Sequence, residues 1–439
     1  MRPASRRNER WMCTRQAAHF FAHCSGWWPV HWRDHINRGE VQMHVGERIG
    51  AYRKRRGMSQ DALAGLIGMS RSWLSQVERG IRGVDRLSTL NDLATVLRID
   101  VADLIGRDWI LAPDASEQVT AVDAVRTQLA GYHHLLGEPT TPWPLPQLRN
   151  GAVQVNQAYQ AAQYQRATAM LPDLIRAADA YDGYQGRDGR ETHLARCSVY
   201  TAAAKLLTKV GEHQLGWLAA DRATHAALAA ESKAAQGMAA YQVVIALLRS
   251  QRTDDAERVA VRSAEGLMYL ASSDAPDAVS LAGSLWLISS VIAARRSDRA
   301  TSTERLGTAT HLADLLAHDG NHWWTAFGPT NVLIHRASVA AEFGDPSGVL
   351  RVATEIDTEA MPAGLQGRRS RLHLDLAWAQ AQAKNDMEAI LHLQQAERVA
   401  PESIRYHTIA RELVRELLKR SRKPTPALTA IATRAGVLA

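Results

Sequence analysis

Along most of this chain apolar residues recur every three or four positions, and no stretch shows the strict alternation of a half-buried strand. The expected fold class is all-α. From Gly46 onward the helices are short and sharply stopped. Gly57, Gly68, Gly80 and Gly83 punctuate them, and Ser59, Ser70, Asp85 and Asp100 stand where N-caps belong. The pattern predicts helices over about 46–56, 60–67, 71–79, 86–98 and 101–106.

A further helix is expected near 118–136. The stretch Pro139-Thr-Thr-Pro142-Trp-Pro144-Leu-Pro146 then reads as a stiff, non-helical break. Beyond it the chain is rich in Ala, Leu, Arg and Gln. Breaks fall near Gly211, Arg252, Ser297, Gly344 and Asn385, separated by 41, 45, 47 and 41 residues, and each joins two helical stretches of about 15 residues. Paired helices recurring at such a period stack as a solenoid. The most legible unit runs from Leu376 to Pro401: Ala379, Ala381, Ala389 and Ala396 let two helices approach closely, and Pro401 ends it. This unit resembles a tetratricopeptide repeat (TPR), with helices longer than that family's.

Residues 1–42 share none of this periodicity. They hold Trp11, Trp27, Trp28 and Trp32, and His19, His23 and Cys24 interrupt any apolar core a signal peptide would need. Cys13, Cys24, His31 and His35 do not make a zinc site, because structural sites pair their cysteines two to four residues apart and these lie eleven apart. The segment is expected to be a disordered arm or a mis-assigned start before Met43. The division expected is then 1–42, a head over 43–106, a linker over 107–150 carrying one helix, a repeat domain over 151–423 and a tail over 424–439.

Charge sharpens the picture. Residues 1–42 carry seven Arg against three acids, and 43–106 carry ten Lys and Arg against seven acids; the remainder balances at 35 each. A polyanion-binding surface therefore belongs at the N-terminal end. Cys13, Cys24 and Cys197 are too few and too scattered for a disulfide framework, which points to a reducing cytoplasm. The uncharged run Ala278–Ala294 contains Ser280, Ser284, Ser289 and Ser290; it is expected to be a buried helix rather than a membrane span.

The stretch Ser59–Gly80 carries the chemistry. Two short helices meet at Gly68-Met69, where the turn needs a left-handed residue. Ala64 sits at the crossing. Leu63, Ile67, Leu74 and Val77 point inward, and Leu90, Leu93, Ala94 and Leu97 close the core. The outer face of the third helix shows Arg71, Ser72, Ser75, Gln76 and Arg79, donors and short polar groups suited to base edges and phosphates, with no acid among them. Of Arg53, Lys54, Arg55 and Arg56 at the end of the first helix, the last three are candidates for phosphate contact; the alternative is compensation of the helix dipole.

Val45 to about Gly106 resembles the lambdoid repressor and Cro family, the XRE type of helix-turn-helix regulator, on Ser59-Gln60, Ala64, Gly68, Ser70 and Glu78-Arg79-Gly80. The resemblance implies double-stranded DNA as partner. It places Gln60 and Arg79 on phosphates, Arg71, Ser72 and Gln76 at bases, and Ser75 at the edge of the footprint. It also pairs Arg53 with Glu78, which would neutralise the only acid on the helix. Trp73 departs from the pattern; it either covers the core or packs on the sugar–phosphate backbone.

Nothing from 107 to 439 carries a catalytic motif, so no enzyme activity, metal or cofactor is expected. The architecture resembles actinobacterial XRE regulators with a C-terminal TPR-like domain, which implies a homodimer controlled by a peptide or small-molecule effector. The alternative is a TPR-type interaction scaffold whose head is vestigial or merely tethers it. For the effector, Trp323, Trp324 and Phe327 precede a helix begun by Pro329, on which Asn331, His335, Ser338 and Glu342 form one polar stripe. Trp323, Trp324, Phe327, Asn331 and His335 are the candidate contacts if that stripe lines the concave groove. Otherwise the aromatics are core and the stripe is a solvated face.

Overall fold

The computed structural model describes residues 44–438 apart from 85–86, 98, 100–103, 105–114, 133–141, 183–185, 187 and 406. The readings made above for residues 1–42 lie outside these. All described elements are helical, without a strand among the described residues.

The head begins with α1 (Val45–Arg55), α2 (Gln60–Leu66), α3 (Arg71–Glu78) and α4 (Leu87–Leu97). Both serine caps form: Ser59 Oγ accepts from the Ala62 amide at 3.0 Å and Ser70 Oγ from the Trp73 amide at 3.1 Å. Gly68 takes the left-handed conformation at φ +67° that lets α2 turn into α3. Leu63, Ala64, Leu74, Val77, Leu90, Leu93, Ala94 and Leu97 close one core. Of the expected fifth helix only Leu104 is described; it is helical and buried.

The rest is a stack of antiparallel helix pairs. Its first members are α5 (Ala115–Ala130), α6 (Leu145–Gln160) and α7 (Tyr164–Asp179). Then come α8 (Gly189–Lys209) with α9 (His213–Ala229), α10 (Lys233–Arg249) with α11 (Thr253–Met268), and α12 (Pro276–Arg295) with α13 (Arg299–Leu316). The series continues through α14 (Pro329–Glu342) with α15 (Pro346–Ala353) and α16 (Gln366–Gln382) with α17 (Asp386–Val399). It closes with α18 (Pro401–Arg405), α19 (Thr408–Arg420) and α20 (Pro426–Arg434). The five expected breaks are the turns inside these pairs, at the left-handed residues Gly211, Gln251, Ser297, Gly344 and Lys384. Three of the five adopt that backbone without being glycine, at a cost of about 1–2 kcal/mol each, which packing of the paired helices offsets.

Alanine sets the spacing. Ala219, Ala223, Ala226 and Ala227 on α9 are buried, as are Ala377, Ala379 and Ala381 on α16. Small side chains at the contact bring helix axes close and give continuous cores. The uncharged run lies in α12. By length and composition this helix is apolar enough to cross a membrane, yet 83% of that stretch is buried in the protein core.

Three boundaries differ from expectation. The expected tail over 424–439 contains α20, capped by Thr425 and burying Leu428, Ile431 and Ala432 in the last core; its one apolar face is short, and Pro426 is its first residue rather than a stop. The expected linker is not free-standing, because α5 buries Val125 and Leu129 in the first repeat core. The Pro-rich break ends early: α6 starts at Leu145 and takes Pro146 into its first turn, where no amide partner is lost.

Candidate nucleic-acid interface and central cavity

Leu74 and Val77 root α3 in the head core, so its opposite face is turned out. Arg71, Ser72 and Arg79 are exposed there, and Ser75 and Gln76 are half-buried. Trp73 is half-buried and packs on the core. Lys54, Arg55 and Arg56 stand exposed at the end of α1, with the Arg55 guanidinium 5.3 Å from the Tyr52 ring centre.

The acid on this helix is neutralised. Arg53 Nε donates to Glu78 Oε1 at 2.5 Å and Arg53 Nη2 to Glu78 Oε2 at 2.9 Å, while Gln60 Nε2 donates to the same Oε2 at 2.8 Å. Burial pushes the Glu78 carboxyl up, and the hydrogen bonds from Arg53 and Gln60 overcome it, so that it ends below the ordinary carboxylate range. Gly50 makes the approach possible: a Cβ there would lie 3.3 Å from the Glu78 carboxylate carbon. Gln60, expected on phosphate, thus commits one amide hydrogen to Glu78.

Two features of this face were not legible in the sequence. Asp61 of α2 comes within 3.6 Å of Arg71, a loose and exposed pair. In addition, Gln76, Ile81 and Arg82 border a cleft of about 420 Å³ whose far wall is α19, with Glu412, Glu416 and Lys419. The Lys419 ammonium donates to the Gly80 carbonyl across it.

Within the repeat domain, α6, α8, α10, α12 and α16 enclose a cavity of about 360 Å³. Its lining includes five cations, Lys205, Lys209, Arg249, Arg368 and Arg371, and the apolar side chains of Met238, Ile245, Leu281 and Leu374. Burial, and after it the field of Arg368, pushes the Lys205 ammonium down to about 7. Burial and the fields of Arg371, Arg249 and Arg368 push Lys209 down to about 8. Sequence reasoning missed this cluster. The one available sign was a lysine set in the apolar run Ala202-Ala-Ala-Lys205-Leu-Leu207.

Of the expected effector contacts, only Trp324 lines the cavity. Phe327 is fully buried in the core, over Gly283, where a Cβ would fall 2.0 Å from its ring. Trp323 donates its indole hydrogen to Asp277 at 2.9 Å. Asn331 is 1% exposed, so it is buried between α14 and its neighbours rather than laid along an open groove. His335 is half-buried and lies in the field of Arg368 and Arg371, and burial with that field pushes it down to about 3. Ser338 donates to Asp375 at 2.6 Å and Glu342 pairs with Arg295 at 3.1 Å. Ser338 and Glu342 of the stripe are therefore spent on structural partners, whereas the buried Asn331 Oδ1 meets no hydrogen-bond donor among the described residues. The loop before it does border the cavity. Trp323, Trp324 and Ala326 are all left-handed, and Asn321 exchanges two amide hydrogen bonds with Gln160, each 2.8 Å. Among the described residues no group of three or more metal-type side chains assembles.

Comparison with known proteins agrees with the geometry of the head. Residues 44–104 match the family model described as a helix-turn-helix domain. Over 75 residues, 17% of this chain, it is 39% identical to the immunity repressor protein of Bacillus phage phi105. The match spans 51% of that repressor, so this chain covers about half the length of its curated relative. Among solved structures it is similar to Bacillus thuringiensis PlcR in complex with a peptide and DNA, at 16% identity and a TM-score of 0.32, over 63% of this chain and 96% of that one. It is also similar to a Rap protein complexed with Competence and Sporulation Factor, at 13% identity and a TM-score of 0.45, over 83% and 99%. The head is thus a helix-turn-helix domain, followed by an all-helical repeat domain.

Proposed function

We propose that this protein is a sequence-specific, DNA-binding transcriptional regulator, acting in the cytoplasm as a homodimer and controlled by an effector held in its repeat domain. The observation that carries the reading is the outer face of α3. Its donors point outward, and its one acid is locked to Arg53. In this reading Arg71, Ser72, Ser75 and Gln76 meet base edges in the major groove. Lys54, Arg55, Arg56 and Arg79, with the free amide hydrogen of Gln60, meet phosphates. The immunity repressor similar to the head supports the same role. An exposed donor face with its one acid neutralised is of no use to a vestigial head, which favours a head that binds DNA.

The test is selection of DNA sites from a random pool by the full chain, followed by fluorescence anisotropy on the selected site. A specific site should bind at least a thousandfold more tightly than random duplex at physiological salt, roughly the lower end for regulators of this kind. Enrichment of no sequence would overturn the proposal.

A further inference from the structure

Resting on the reading that the repeat domain holds an effector, we infer that the central cavity takes an anionic ligand: a carboxylate or phosphate attached to an apolar body. The charge arrangement carries this. Lys205 and Lys209 come from α8, Arg249 from α10, and Arg368 and Arg371 from α16, so three helices deliver five cations to one cavity. No carboxylate lines it among the described residues. Arg371 has Asp375 at 3.0 Å on its own helix. Lys209 has only neutral partners among its described contacts, the Ser403 hydroxyl at 3.4 Å and the Tyr164 ring at 5.5 Å.

The cations repel one another. Lys205 lies in the field of Arg368, and Lys209 in the fields of Arg371, Arg249 and Arg368. The same field reaches His335 from α14 and His407 beside α19, which burial and these cations hold neutral. An isolated desolvated cation is destabilising unless a counter-charge meets it. Arg371 has its counter-charge in Asp375, but the described contacts of Lys205 and Lys209 include no acid, which leaves theirs to be supplied from outside. The apolar part of the lining, Met238, Ile245, Leu281 and Leu374, gives an apolar body its place, and about 360 Å³ suits a ligand of drug or short-peptide size. The anion could belong to a free organic acid or phosphate, or to the C-terminal carboxylate of a short peptide. Both present the same oxygens to the lysines.

The experiment is isothermal titration calorimetry of the full chain at pH 7 with five probes: inorganic phosphate, 3-phenylpropionate, 3-phenylpropionamide, and the tripeptide Ala-Leu-Phe with a free or an amidated C-terminus. The expected result is that at least one anion binds about tenfold or more tightly than its neutral counterpart, the worth of one charge-assisted hydrogen bond. Preference for the free tripeptide over phenylpropionate identifies a peptide source, and the reverse a small acid. Arg368→Gln should remove the preference for charge. If neither phosphate nor a carboxylate binds more tightly than the amides, or if Arg368→Gln leaves the preference intact, the inference falls. A second measurement needs no ligand: Lys205→Met should raise Tm by relieving the repulsion, and a lowered Tm would show the lysine to be internally compensated and overturn the assignment. DNA affinity measured with the same probes separates the two claims. An anion that binds the wild type but not Arg368→Gln, without changing DNA affinity, would leave the anion site standing and sink the effector reading.

Discussion

The Arg53 guanidinium holds both carboxylate oxygens of Glu78, 25 residues further along the chain, and ties the end of α3 to α1. Arg53 Nη1 also donates to the Met58 carbonyl at 2.7 Å, so one side chain organises α1, the following turn and α3. Arg53→Met should cost about 3–5 kcal/mol, because it strands a desolvated carboxylate. Replacing Glu78 by Leu as well should recover much of the loss. Amide hydrogen exchange in α3 of the full chain reads both. The carboxyl sits below its ordinary value of 4.5, so its contribution is present above that pH and lost as the pH falls through the folded-state value. Protection in α3 should fall on acidification below about pH 4.5, and Glu78→Gln should flatten the fall.

Base reading and phosphate contact should separate by salt. Arg71→Ala should cost about 1–3 kcal/mol and relax preference at one base pair. Replacing Arg55 and Arg56 by Ala should weaken all duplexes alike and lower the salt slope by about one per phosphate lost. Anisotropy titrations at several salt concentrations check both, and an unchanged preference in Arg71→Ala would remove that residue from the base-reading set.

One head covers too few base pairs to mark a unique genomic site. A homodimer is expected on inverted repeats about one helical turn apart. Light scattering at micromolar concentration, with and without operator, measures this directly; a monomer in both conditions contradicts it.

Gln76 faces α19 across the cleft, with Glu412 and Glu416 on the far wall. Both carboxylates are paired on their own helix, Glu412 with Arg415 and Glu416 with Arg420, so charge does not oppose a polyanion here. It is the closeness of this wall to Gln76 that leaves a duplex little room, and the docked head should bind DNA more weakly than a released one. Lys419→Ala removes the hydrogen bond to Gly80 that spans the cleft. Several-fold tighter DNA binding is expected, with repeat-domain Tm unchanged. Equal or weaker binding would show that the docked arrangement is the DNA-competent one.

Acidity should act on the cavity in one direction. His335 near 3 and Lys205 near 7 are both bases held below their ordinary values of 6.5 and 10.5. Between each pair of values the unfolded chain binds protons that the folded chain does not, so stability rises with pH. Tm should climb as pH goes from 5 to 6.5 with the histidine and again above 7 with the lysine. Lys205→Gln should make the upper limb shallower and leave the lower one unchanged, the rest of the upper limb belonging to Lys209, held near 8. A Tm independent of pH across both windows would contradict the burial of these groups.

What the sequence determined by itself is whatever neighbouring residues decide. Ser59 and Ser70 cap the helices that follow them because a hydroxyl reaches an amide three residues on. Gly68 is needed where a backbone turns left-handed. The hairpin breaks at Gly211, Ser297 and Gly344 show themselves because apolar periodicity stops there. The tertiary structure decided what depends on which face of a helix meets which neighbour. Alanine-rich helices such as α9 and α16 carry small apolar residues around most of their circumference, so periodicity cannot say which side turns inward. Lys205 and Arg368 meet because the solenoid brings α8 opposite α16, and no spacing between them encodes it. Phe327 looked like a ligand contact until Gly283, from another helix, supplied the hollow its ring fills. Half of the polar stripe of α14 is held by Asp375 and Arg295, from helices that no local spacing connects to it. Local hydrogen bonding is written residue by residue, whereas the curvature that gathers distant cations around one cavity is a sum over every helix contact in the stack.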